Sequence, residues 1–88
     1  MSKEGVISAI EQHVINFVIT LRGQKKVTQS DIGAIIGVSR SYVKDIESPK
    51  TNAKYNLKHI DKLADYFNIS PKDFLPERSL IKNEKKQI

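Results

Sequence analysis

The stretch VTQSDIGAIIGVSRSYVKDIE, residues 27–47, reads as two short helices joined by a turn of at most three residues. Thr28 stands where its hydroxyl accepts from the backbone N–H of Asp31 while the Asp31 carboxylate answers back to Thr28, a capping-box pattern. Val27 and Ile32 flank that box as a hydrophobic staple. The helix then runs through Ala34, Ile35 and Ile36 to Gly37, the residue best suited to a sharp left-handed turn. A second start follows at once: Ser39 is an N-cap, with Val38 and Val43 in the staple positions. This helix continues through Tyr42, Val43 and Ile46 to Glu47, and Pro49 blocks its extension by steric exclusion.

On the N-terminal side, Ile7, Ile10, Val14, Phe17, Val18 and Leu21 recur at three- and four-residue steps, the stripe of an amphipathic helix that should stop near Gly23. Gln24, Lys25 and Lys26 then form a polar connection. Beyond the pair, Asn56 caps a helix whose apolar face is Leu57, Ile60, Leu63, Ala64 and Phe67, ending at Asn68. The start signal recurs at Ser70, with Pro71 at the first helical position, Asp73 completing the box and Pro76 closing a fifth helix. The expected fold is all-α: a compact five-helix domain over residues 1–76, followed by a short charged tail over 77–88 in which only Leu80, Ile81 and Ile88 are apolar.

With 88 residues and no cysteine, the chain has room for one modest core and no disulfide or thiolate metal site. No run of residues reaches the ~20 apolar positions of a membrane span, and no leader pattern opens the chain, so a cytoplasmic protein is expected. His13 and His59 stand alone, without further metal ligands near them in sequence, and no nucleophile has a placed base. Asp61 and Asp65 alternate with Lys58 and Lys62 as an ordinary exposed helix face. Neither metal, cofactor nor enzymatic activity is expected.

The net charge of +5 is local: between Arg22 and Lys58 there are eight bases against three acids, whereas the remainder balances. That concentration points to one surface facing a polyanion, although a solvated charged face would read the same way. The first turns of the helices separate the two readings further. Those starting after Thr28 and Ser70 carry an acid that offsets the positive end of the helix dipole, whereas the one after Ser39 carries Arg40, Ser41 and Tyr42. An uncompensated helix N-terminus with an added arginine suits an external phosphate, or else the Ser39 cap suffices alone. On a helical wheel Val43 and Ile46 point one way and Ser41, Lys44, Asp45 and Ser48 the other. Arginine and lysine donate to guanine, aspartate accepts from cytosine and serine does either, so this face has the chemistry of major-groove readout.

Residues 27–47 resemble the helix-turn-helix of Cro and the phage repressors, the XRE family. Thr28-Gln29, Ile32-Gly33, Gly37-Val38-Ser39, Val43 and Ile46-Glu47 all fall at the family's spacing. The resemblance extends to the first helix with Arg22 and to the pattern from Leu57 to Leu75. It implies a lambda-repressor-like domain in which the helix after Ser39 enters the major groove. It implies base contacts from Arg40, Ser41, Lys44 and Asp45. Backbone contacts are implied from Thr28, Gln29, Ser39, Tyr42, Ser48, Lys50 and Thr51. It further implies a structural ion pair between Arg22 and Glu47.

The expected function is a sequence-specific double-stranded DNA-binding transcriptional regulator, a repressor acting as a homodimer on a pseudo-palindrome with half-sites ~34 Å apart. Two other readings stay open at this stage. In one, the same domain is the antitoxin of a toxin–antitoxin pair and the tail from Glu77 folds on a protein partner. In the other, the basic face meets an acidic protein. Pro49 departs from the family pattern, which has glycine there, so the loop from Ser48 to Asn56 must take another path. The tail has no family counterpart.

Overall fold

A computed structural model describes residues 7–81 and shows four α-helices, with no strand among those residues: α1 (Ala9–Lys25), α2 (Gln29–Ile36), α3 (Arg40–Glu47) and α4 (Leu57–Phe67). The expected fifth helix is instead a single 3-10 turn, Pro71–Phe74. Its Ser70–Asp73 box forms as read from the sequence, with the Ser70 N–H donating to Asp73 at 3.1 Å. Four residues are nevertheless too few to propagate a helix whose nucleation is itself unfavourable. Residues 77–81 have no regular structure, with Leu80 half-buried and Ile81 exposed. The rest of the tail, including Ile88, lies outside the described residues.

The first helix differs from expectation at both ends. It begins after Ser8, whose backbone N–H donates to Glu11 at 3.0 Å while its hydroxyl accepts from the Glu11 N–H at 3.3 Å. Ser8 and Glu11 carry the same box signature as Thr28 and Asp31, and the stripe beginning at Ile7 masks it. Ile10, placed on that stripe, is 43% exposed, and the buried positions are Val14, Ile15, Val18 and Leu21. At the other end the helix passes through Gly23, where an added Cβ would meet nothing within 4 Å. It stops at Lys26, which takes the left-handed conformation at φ 56°. The Val27 N–H then reaches back to the Arg22 carbonyl at 2.9 Å. The helix therefore ends where Val27 can rejoin the core, which a local glycine does not decide.

Helix α2 packs on α3 and α4, α1 on α3 and the 3-10 turn, and α4 closes over that turn. Phe74, Ile15, Ile32, Ile46, Leu63, Val18 and Val43 fill the centre. On α4, Ile60, Leu63 and Ala64 are buried as expected, but Leu57, the first residue of the helix, is 79% exposed. His59 completes the box of α4: the Asn56 N–H donates to His59 Nδ1 at 3.2 Å, which requires a neutral imidazole. Burial, followed by the nearby Lys62 and Lys58 charges, lowers the His59 pKa and favours that form.

The turn between α2 and α3 is where glycine is indispensable twice. Gly37 adopts φ 82° and its N–H donates to the Gly33 carbonyl at 2.7 Å. Gly33 itself is helical, yet a Cβ there would stand 2.6 Å from the Val38 carbonyl oxygen. Gly33→Ala should therefore push the turn off α2 and cost about 2 kcal/mol, whereas Gly23→Ala should stabilise α1 by about 0.5 kcal/mol. Thermal denaturation of the two variants checks this, and equal melting temperatures would remove the close approach as the reason for Gly33.

Candidate nucleic-acid interface

Helix α3 is only eight residues long, and its sequence divides it cleanly. Val43 and Ile46 are completely buried against the body of the domain, while Arg40, Ser41, Tyr42, Lys44 and Asp45 are exposed. Ser39 caps the helix through its hydroxyl, which accepts from the Tyr42 N–H at 3.1 Å, and no acid stands in the first turn. By contrast, the Asp31 carboxylate of α2 is held below its ordinary range by the Thr28 backbone N–H and hydroxyl, and so answers the positive end of its own helix. The positive end of α3 has only its cap and Arg40.

The C-terminal end of α3 is fastened to the rest of the domain by charge. Arg22 grips Glu47 with both arms of its fork, Nε to Oε2 and a terminal nitrogen to Oε1, each at 3.0 Å. The Glu47 side chain is 11% exposed and that of Arg22 25%. Gln29, at the start of α2, joins the pair by donating its amide to Glu47 Oε1 at 3.0 Å. The residue that the family resemblance assigns to a phosphate is thus half-buried and tied to Glu47, so α1, α2 and α3 meet at one carboxylate.

Beyond Glu47 the chain follows a path that proline permits. Ser48 leaves the helix extended, at φ −81° and ψ 135°, where a left-handed exit would need the positive φ that favours glycine. Its hydroxyl accepts from the Lys50 N–H at 3.1 Å. Thr51 donates its hydroxyl to the Asp45 carbonyl and accepts from the Ala53 N–H, so its side chain closes the end of α3. Lys50 is exposed at the apex of this loop. Tyr55 then plunges into the core, 5% exposed, with a hydroxyl that finds no partner among the described residues. Burial, reinforced by the Glu47 carboxylate, raises its phenol well above the ordinary range.

Folding also brings together groups that are distant in sequence. Arg22 and Lys26 from the end of α1, Thr28, Gln29 and Ser30 from the start of α2, and Arg40 from the start of α3 line one open groove. Among the described residues, no carboxylate lines it. In the sequence Lys26 belongs only to a polar connection, and nothing local to it indicates that it shares a groove with Arg40. Groups of three or more metal-ligating side chains do not occur among the described residues, and no helix there is long and apolar enough to cross a membrane.

The Helix-turn-helix family model matches the chain over residues 18–74, from the middle of α1 to the end of the 3-10 turn, which is more than half of the sequence. No curated protein and no solved structure gives a significant match to the chain. With the two-helix unit, its Gly33 and Gly37 turn and the tethered α3 now located, the chain belongs to the XRE-type helix-turn-helix family of DNA-binding transcription regulators.

Proposed function

We propose that this protein is a sequence-specific repressor that reads the major groove with Arg40, Ser41, Lys44 and Asp45. Thr28, Gln29, Ser39, Tyr42, Ser48 and Lys50 contact the sugar-phosphate backbone on either side. Thr51 belongs to the same contact surface through the loop it closes. In this reading the protein acts in the cytoplasm as a homodimer over two half-sites ~34 Å apart, and occupancy alone represses. Residues 77–88 are then an appendage to a DNA-binding domain of residues 1–76.

The observation that supports this most is the division of α3. Two wholly buried aliphatic side chains hold it down while its four candidate base-reading side chains and its uncompensated N-terminus all stand in solvent. A helix with that division presents donors and acceptors to base edges without unfolding anything. Selection of bound sequences from a random duplex pool should return a pseudo-palindromic site. Against it, Arg40→Ala should cost about 1–3 kcal/mol and relax preference at one base pair, whereas Lys50→Ala should weaken all duplexes alike. Equal losses on selected and random DNA for Arg40→Ala would remove Arg40 from base reading. A pool that yields no preferred sequence would sink the repressor reading as a whole.

A further inference from the structure

Three α-helices of this domain end on a left-handed residue: α2 on Gly37, α4 on Asn68 and α1 on Lys26. Glycine and asparagine are the residues suited to that conformation, because one lacks a Cβ and the other compensates with a short polar side chain. Lysine has neither advantage. At φ 56° and ψ 44° its Cβ crowds the following carbonyl, a local cost that persists only where something else favours the residue.

Helix electrostatics do not supply that reason. A cation complements the C-terminal end of a helix dipole, but Arg22 and Lys25 already occupy the last turn of α1. Lys26 has no ion pair or side-chain hydrogen bond of its own among the described residues. Its side chain is exposed and lines the same groove as Thr28, Gln29 and Ser30 and as Arg40 at the start of α3. Of the bases in that groove, Arg22 is committed to Glu47.

From this placement we propose that Lys26 is a DNA phosphate contact on the strand that passes the start of α2, at the edge of the groove that it shares with the base-reading Arg40. The proposal rests on the DNA-binding reading above and assigns to that surface a residue which neither the turn pattern nor the capping pattern marks. The left-handed residue ends α1, and its exposed side chain lines the groove together with Arg40. Because phosphates are the same in every sequence, Lys26 adds affinity and register but no base preference.

The test uses the full chain and a short mixed-sequence duplex, with affinity followed across a salt series and thermal denaturation run in parallel. Lys26→Gly should melt at the same temperature or a few degrees higher, since the left-handed cost is relieved. It should bind roughly five- to ten-fold more weakly at 0.1 M salt, with the slope of log affinity against log salt shallower by about 0.9, the signature of one lost phosphate contact. Lys26→Asn, which tolerates the same backbone conformation, should behave alike, and Lys26→Arg should bind as the parent does. If the parent chain binds duplexes steeply and Lys26→Gly matches it in affinity and slope, the assignment of Lys26 is overturned and the DNA reading survives. If the parent shows no salt-dependent duplex binding, both fall.

Discussion

Glu47→Ala is expected to lower the stability of the domain by about 3 kcal/mol, the scale for removing one partner from a largely buried ion pair. Arg22 would keep its charge in a pocket where its side chain is only 25% exposed, facing no carboxylate, and the Gln29 amide would lose its acceptor at the same time. For a domain of this size the loss corresponds to a melting temperature lower by ~12 °C or more. Glu47→Gln should fall between, since an amide oxygen still accepts from Arg22 but leaves the guanidinium uncompensated. The effect reaches DNA binding through position: Glu47 is the last residue of α3, and its partners come from α1 and α2. Denaturation of both variants, with affinity measured well below their melting temperatures, checks the claim. A Glu47→Ala protein as stable as the parent would show that the aliphatic anchors Val43 and Ile46 hold α3 without the carboxylate.

Phe74→Ala should be at least as damaging, at about 3–5 kcal/mol. Phe74 is completely buried, its ring centroid lies 4.7 Å from that of Phe17 at an interplanar angle of 59°, and it is among the bulkiest enclosed side chains of the domain. Its 3-10 turn touches both α1 and α4, so the ring joins the two ends of the chain that flank the helix-turn-helix. Removing it takes away that ring contact and leaves a cavity where the 3-10 turn meets α1 and α4. Stabilities of natural domains of this length are themselves about 4–13 kcal/mol, so a large share of the total is at stake. Leu57→Ala, at a position 79% exposed, should change stability by less than about 0.5 kcal/mol and serves as the matched control. Urea denaturation of the pair decides it, and similar midpoints would mean that the 3-10 turn docks without bearing on the core.

These two positions illustrate how differently the sequence speaks about ends and about contacts. Thr28, Ser39, Asn56 and Ser70 each announced the start of an element, and each does accept a backbone N–H there. Caps are legible because the groups that satisfy one another lie within three residues. The extent of an element was less legible. Gly23 looked like the end of α1 and Pro71 like the start of a full helix, yet α1 runs on to Lys25 and the last element is one 3-10 turn. In both cases packing sets the limit: Val27 must return to the core, and Phe74 must enter between α1 and α4.

The outward face of α3 was legible because helical periodicity alone separates Val43 and Ile46 from Ser41, Lys44, Asp45 and Ser48, with Arg40 free at the exposed end. The groove that joins Lys26 to Arg40 was not, nor was the capture of Gln29 by Glu47 or the use of the Thr51 hydroxyl to close α3. Capping and periodicity, which act over a few residues, were enough to establish a helical fold, the starts of α2, α3 and α4, and the side of α3 that faces solvent. Only the tertiary structure decided where α1 stops, what Gly33 makes room for, and which side chains from separate helices share one surface. Those outcomes depend on the approach of segments far apart in the chain, and no local pattern encodes a distance between them.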